Sequence, residues 1–212
     1  MDRLETILSF IPSECTPVEI GADRAPVALG FAKVTGRTCY ASEVSKGPYE
    51  ALITSVRDAG MSHLVKTYMA DGLDNLPLDV DTAIICGMGG FTIERILDKA
   101  ETRGLKLLVL EPQSHPERVR HKLLEKHFFP YREQYVIESG RIYPVIAARQ
   151  RGKEKDLDEV EMLFGRYPLQ NRDPLLRELL MRLAQIYRAL DESVRQQKKG
   201  FMEALIKAFH YF

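Results

Sequence analysis

The 212-residue chain is predicted to be an α/β protein: a mostly parallel sheet with helices on both faces, followed by a small helical domain. Three observations predict this. Strand-like and helix-like segments alternate about five times, the pattern of a sheet covered on both sides. Two strand patterns joined by Ser139-Gly140-Arg141 then close the series as a hairpin. After Gln150 the pattern changes to a charged stretch and long runs of leucine at helical spacing.

The elements follow in order. Leu4, Ile7, Leu8 and Ile11 recur at helical spacing, so residues 3–11 form a short amphipathic helix, ended by Pro12. Residues 16–20 are a strand before the Gly21 turn. Residues 25–34 are helical, since Pro26 suits a first turn. Residues 37–43 are strand-like, and Gly47-Pro48 opens a helix to about Ala59. Residues 64–69 form a third strand, closed by the Asp71-Gly72 turn. Residues 82–86 are the fourth strand, 91–100 its helix, and 105–110 the fifth strand. Pro116 opens a helix over 116–125. Residues 131–138 and 142–148 are the hairpin. The charged stretch 151–156 reads as a linker between a domain at 1–150 and a helical domain at 151–212. There Leu175 to Val194 and 201–212 form two helices with Gly200 as the break, a hairpin of coiled-coil-like character.

Composition narrows the function. Lys+Arg and Asp+Glu both number 30, so any nucleic-acid surface must be a local patch. No apolar run approaches the roughly 18 residues of a membrane span, and the start lacks the apolar core of a signal peptide. A cytoplasmic protein, monomer or weak dimer, is expected. Cys15, Cys39 and Cys86 are widely spaced without a CxxC pair, so reduced thiols and no metal site are expected.

The most informative stretch is residues 81–90. A buried apolar strand ends abruptly in Gly87-Met88-Gly89-Gly90, and glycines there let the backbone lie flat against a ligand. In an open α/β sheet, ligands bind at the carboxyl ends of strands. A second glycine turn, Glu19-Ile20-Gly21-Ala22-Asp23, follows the first strand, and Glu43 ends the second. S-adenosylmethionine needs a glycine turn after strand one and an acid at the end of strand two for its ribose hydroxyls. It also needs a polar turn after strand three and an open loop after strand four. Gly21, Glu43, Asp71-Gly72 and Gly87-Met88-Gly89 supply these in order. A carboxylate accepting two hydroxyls makes charge-assisted bonds of about 1.5–3 kcal/mol each. The G-x-G-x-x-G fingerprint of NAD sites is missing, and a closing hairpin is the usual ending of methyltransferase-type sheets.

With those motifs in place, the chain resembles the bacterial tRNA adenine-22 N1-methyltransferases, the TrmK family. The resemblance rests on Arg3-Leu4 with Ile11-Pro12, Ile20-Gly21-x-Asp23, Glu43-x-x-x-Gly47-Pro48 and Asp71-Gly72-Leu73. It continues through Gly87-Met88-Gly89-Gly90, Pro112 with His115, Tyr143-x-Val145 and Met162-Leu163-Phe164-Gly165. It implies a Rossmann-like class I sheet that binds S-adenosylmethionine and methylates N1 of an adenosine in tRNA. It also implies Asp23 and Arg3 as catalytic residues, with Glu19 in the cofactor turn. From the residues alone, Asp23 could equally cap the next helix, and Arg3 could be a solvated helix residue. The chain departs from the family where Arg24 and Pro26 replace a histidine and a tyrosine, and where Glu111-Pro112-Gln113 replaces Gln-Pro-Asn. The competing readings are another RNA or small-molecule acceptor, and a non-catalytic relative that binds cofactor or RNA.

Arg118 and Lys122 share one side of their helix, and Arg182, Arg188 and Arg195 form a second basic cluster. Both are candidate RNA-phosphate contacts, against the plain reading of solvated helix faces.

Overall fold

The computed structural model describes residues 2–99, 104–150 and 156–212. The expected linker, apart from Asp156, and the expected helix end at Ala100 lie outside them. In chain order the elements are α1 (Arg3–Ser9), β1 (Pro17–Ile20), α2 (Pro26–Thr35), β2 (Cys39–Glu43), α3 (Lys46–Asp58) and β3 (Val65–Met69). Then come β4 (Thr82–Met88), α4 (Gly90–Lys99), β5 (Leu107–Pro112), α5 (Pro116–Glu125), β6 (Phe128–Glu138) and β7 (Arg141–Gln150). The chain ends in α6 (Glu159–Phe164), α7 (Arg166–Gln170), α8 (Pro174–Arg188), α9 (Glu192–Gln197) and α10 (Lys199–Phe209).

One seven-stranded sheet has the order β3-β2-β1-β4-β5-β7-β6. The strands β1 to β5 pair in parallel, and β7 runs against both β5 and β6. The strand order reverses between β1 and β4. That is the switch point at which open α/β sheets bind ligands. Both glycine turns found in the sequence leave the sheet there.

Strands buried on both faces need near-continuous apolar runs, and Leu107, Leu108, Val109 and Leu110 of β5 are all buried. On one face Ile7, Phe31, Leu52 and Val56 from α1, α2 and α3 pack against Ile84, Val109 and Val145. On the other, Ile93 and Leu97 of α4 and Val119 and Leu123 of α5 pack against Ile85, Leu110 and Ile146. Each such buried side chain contributes about 1.5–3 kcal/mol of transfer free energy. Cys15, Cys39 and Cys86 are free thiols. No helix among the described residues is long and apolar enough to cross a membrane.

Two expectations need correction. The β6 strand starts at Phe128 rather than at 131, because the fully buried Phe128 side chain joins the second core. Pro130, which argues against a ladder position, is tolerated beside a register shift on this edge strand. The C-terminal segment is not a two-helix hairpin. Asp158 and Glu161 form a reciprocal capping box that starts α6, and α7 follows directly. The helix expected to run to Val194 stops at Arg188, and α9 intervenes before α10. Gly200 is the second residue of α10 and the break falls at Lys198. At 15 residues, α8 spans about two heptads, short of the three to four that a sustained coiled coil needs.

The helical segment is keyed to β6. Asp173 accepts hydrogen bonds from the Leu175 and Leu176 amides, capping α8, and from the Tyr135 amide of β6 at 2.9 Å. Arg120 of α5, fully buried, donates to Glu133 of β6 at 2.8 Å and to the carbonyls of Met162 and Leu163. Gly165 lets α6 come this close: a Cβ there would stand 2.5 Å from Glu133 Oε2. Around this junction Tyr135, Phe164, Leu176, Leu180 and Leu205 form a third apolar core. Removing one member of a buried pair leaves a charge without compensation. Glu133→Ala is therefore expected to cost about 3–5 kcal/mol in urea unfolding, and Arg120→Met with Glu133→Leu to recover much of that loss.

Candidate active site

The loop after β1 is held in a costly conformation. Gly21, Asp23 and Ala25 all have positive φ, at 65, 45 and 52°. The two non-glycine residues cost of order 1–3 kcal/mol each. Three contacts fix the loop. The Ser42 carbonyl accepts from the Gly21 and Ala22 amides at 2.9 and 3.1 Å. Glu43 Oε1, at the end of β2, accepts from the Asp23 amide at 2.7 Å. Glu19, buried inside β1, accepts from the Val27 and Ala28 amides at the start of α2. Burial pushes the Glu19 carboxyl up to about 7, against the lowering effect of those two amide bonds.

The loop in β4 is built the same way. Gly87 sits at a register shift between Cys86 and Met88 with φ of 76°, a bulge of the kind that glycine permits. Its amide donates to Glu111 Oε2 of β5 at 2.7 Å. The same oxygen accepts from Arg3 Nη2 at 2.8 Å, and Glu111 is fully buried. The Glu111 hydrogen bond, working against desolvation, raises the pKa of the Arg3 guanidinium. Arg3 also faces Glu138 at 3.7 Å. Gly90 follows with no room for a side chain, since a Cβ would stand 2.5 Å from the carbonyls of Ser114 and His115. The Gln113 amide donates to the Met88 carbonyl at 2.9 Å.

The fold therefore brings Gly21, Asp23, Glu43, Gly87, Met88 and Arg3 to the carboxyl end of the parallel strands. Met88 crosses the switch point, and a Cβ on Gly21 would stand 2.0 Å from its Cε. Asp23 does not cap α2: the N-cap is Ala25, with no side-chain bond. Arg3 is not a solvated residue. Gly72 lies against Ile96 with φ of 64°, while Asp71 points outward and pairs with Lys99. The basic candidates are mostly engaged with acids. Glu94 holds Arg118 through two bonds, Asp98 and Glu125 hold Lys122, and Glu178 and Glu192 hold Arg182 and Arg195. Arg188 is exposed.

Sequence reasoning did not place Glu111 or Gln113 in the site. The signal for Glu111 was present: an acid closing the apolar run Leu107-Leu108-Val109-Leu110 mirrors Glu43. Gln113 stood out only as part of the departure Glu111-Pro112-Gln113 from the family's Gln-Pro-Asn. Its side chain is exposed, makes no hydrogen bond within the described residues and approaches the position a Gly87 Cβ would take at 4.0 Å.

The sequence profile of TrmK, tRNA (adenine(22)-N(1))-methyltransferase, matches residues 18–209. The chain belongs to this family. The tRNA (adenine(22)-N(1))-methyltransferase of Bacillus subtilis (strain 168) is 27% identical over 169 residues, 77% of this chain and 70% of that protein. The crystal structure of the B. subtilis m1A22 tRNA methyltransferase TrmK superposes with a TM-score of 0.82 at 23% identity, covering 97% of each chain. A Streptococcus pneumoniae protein crystallised with S-adenosyl-L-methionine gives 0.89 at 23% identity, over 98% of this chain and 99% of that one. M. capricolum TrmK with S-adenosyl-homocysteine gives 0.84 at 18%, over 99% and 97%. These structures share the fold of this chain over nearly its whole length, so the expectation of a methyltransferase-type α/β sheet holds.

Two outcomes test this geometry. Glu111→Ala strips the acceptor from both Arg3 and the Gly87 amide, so it is expected to cost about 3–5 kcal/mol in urea unfolding. Glu19 has a folded pKa raised from 4.5 to about 7. Its stabilising contribution is thus fully present below pH 4.5 and lost as pH rises through 7. Wild-type stability should fall across that window by at most about 3 kcal/mol relative to Glu19→Gln, read as two urea series against pH.

Proposed function

We propose that this chain methylates N1 of an adenosine in tRNA, using S-adenosylmethionine held across the β1–β4 switch point. The observation that carries the proposal is the pair of fixed glycine loops at that point, on a chain whose family acts at adenine-22 N1. The residues fit the cofactor. At Gly21 a Cβ would stand 2.0 Å from Met88 Cε, so the side-chain atoms nearest this turn belong to a flexible thioether that can yield to the cofactor. Glu43 spends Oε1 on the Asp23 amide and keeps Oε2 for ribose hydroxyls. Glu19 and Gly21 would border the amino-acid part, Asp71 and Gly72 the adenine end, and Gly87, Met88 and Gly89 the side facing the acceptor.

When bound, the cofactor supplies an electrophilic methyl group on a sulfonium. The acceptor N1 has its own lone pair, so the chain need not remove a proton before attack. Its task is positioning, which brings the reacting atoms to about 3 Å. As N1 is alkylated the base becomes cationic. A carboxylate facing it stabilises that charge and can take a proton from N6. We assign this role to Asp23, whose strained backbone keeps its side chain out of helix capping. Arg3 acts through Glu111 on the Gly87 loop. Arg118, Lys122, Arg182, Arg188 and Arg195 are assigned to tRNA phosphates, the paired ones exchanging an acid for a phosphate.

Single-turnover methylation of unmodified tRNA, followed by nucleoside analysis, tests the proposal. Wild type is expected to form 1-methyladenosine, and Asp23→Asn to do so about tenfold more slowly at saturating cofactor. By calorimetry Asp23→Asn should keep cofactor affinity, while Glu43→Ala loses about 2–3 kcal/mol. A wild type that binds cofactor but methylates no tRNA would give the reaction to another acceptor.

A further inference from the structure

A cavity of about 230 Å³ lies beside the β4 loop, between the sheet end and the C-terminal helices. Its walls include Tyr143, Pro144, Leu163, Leu183 and Phe201, and Gln113 stands on its lip. The volume is several times the roughly 30 Å³ share of one water. It is below the roughly 300–1,000 Å³ of pockets for drug-sized ligands. A single planar base suits it better than a whole nucleotide. Gln113 links the cavity wall to the β4 loop: its backbone amide donates to the Met88 carbonyl, and its side-chain Nε2 stands 4.0 Å from where a Cβ on Gly87 would lie.

We propose that this cavity receives the acceptor adenine and that Gln113 reads it. The inference rests on the N1-adenosine activity proposed above. N1 lies on the Watson–Crick edge, so a paired adenine cannot be methylated there, and the base must leave its stack for a pocket with aromatic or apolar walls. A glutamine amide pairs with adenine through two bonds at once: its oxygen accepts from N6–H and its nitrogen donates to N7. That pairing uses the Hoogsteen edge, which shares only N6 with the Watson–Crick edge, and leaves the N1 lone pair free. It also rejects guanine, whose position 6 carries an acceptor oxygen where adenine carries a donor. Gln113 is equipped for this because its side-chain amide is exposed and has no hydrogen-bond partner among the described residues.

The test pairs a substrate change with a protein change. Unmodified tRNA is prepared with adenosine or 7-deazaadenosine at the target position; the analogue keeps N1 and N6 and lacks N7. In wild type the analogue is expected to lower kcat/KM about tenfold. In Gln113→Ala it should add almost nothing to the loss already caused by the substitution. Leu183→Trp, which fills the cavity, should raise KM for tRNA about tenfold. Calorimetry with S-adenosylmethionine and thermal melting should match wild type for both variants. Equilibrium binding of the two tRNAs, measured without cofactor, should show the same Gln113-dependent discrimination independently of turnover. An analogue penalty that is absent in wild type, or equal in wild type and Gln113→Ala, overturns the role of Gln113. An unchanged KM for Leu183→Trp overturns the cavity. Absence of 1-methyladenosine with the natural base refutes the activity itself, and the binding comparison still decides whether Gln113 reads N7.

Discussion

The site depends on one shared oxygen. Glu111 Oε2 accepts from Arg3 at 2.8 Å and from the Gly87 amide at 2.7 Å, in a residue that is fully buried. A carboxylate in that position would be costly alone, because desolvation of an isolated charge is a penalty of several kcal/mol. The guanidinium and the amide dipole offset it. The result is a three-way joint between the neighbouring strands β4 and β5 and the sequence-distant helix α1. The Gly87 bulge has no ladder partner of its own, so its position is set by this carboxylate. A loop meant to face a reacting group needs such a support, since a small misplacement costs rate steeply.

The same device recurs at two other strand ends. Glu43 holds the Asp23 amide and Glu19 holds the amides of Val27 and Ala28. The 2.7 Å bond from the Asp23 amide to the Glu43 carboxylate is charge-assisted, roughly twice as strong as a neutral counterpart. Together with the Ser42 carbonyl, Glu43 and Glu19 hold two non-glycine residues, Asp23 and Ala25, at positive φ. Backbone strain of this kind persists only where the surroundings over-determine it. These acids therefore serve first as supports for loop backbone. Glu43 can serve the cofactor as well, because it keeps one oxygen for it.

The fold was legible because β-strand burial leaves a strong mark in composition. The apolar runs at 82–86 and 105–110 identified central strands, and Ser139-Gly140-Arg141 the closing hairpin. Gly21, Glu43 and Gly87 could be read as a site because glycine and a strand-end acid each have a narrow set of physical reasons to stand there. What stayed hidden depended on three-dimensional neighbours. Arg118 and Arg182 look like phosphate ligands in sequence, but Glu94 and Glu178 stand beside them in space. Glu111 read as a departure from the family, since nothing local reveals that Arg3, 108 residues away, supplies its counter-charge. The α6 capping box at Asp158 and Glu161 leaves only a four-residue signal in the sequence, weaker than the leucine periodicity that follows it.

The helical segment bears on the site through the joint that holds it. Arg120 reaches from α5 to the carbonyls of Met162 and Leu163, and Leu163 is a wall of the cavity that Gln113 borders. Since α5 begins at Pro116, the loop carrying Gln113, Ser114 and His115 lies between two fixed points. One is the sheet end at Pro112, the other the first turn of a helix pinned by a buried ion pair. His115 takes φ of 49° to make that passage, and Pro116 pre-sets the helix that follows. Movement of α6 away from the sheet would break the Arg120 bonds and open the cavity wall together. The cavity is thereby coupled to docking of the C-terminal helices, whereas the Gly21 and Glu43 contacts are made within the sheet domain itself. The Gly21 turn and the cavity wall thus rest on separate supports, joined at the β4 loop by the Gln113 amide and the Met88 carbonyl.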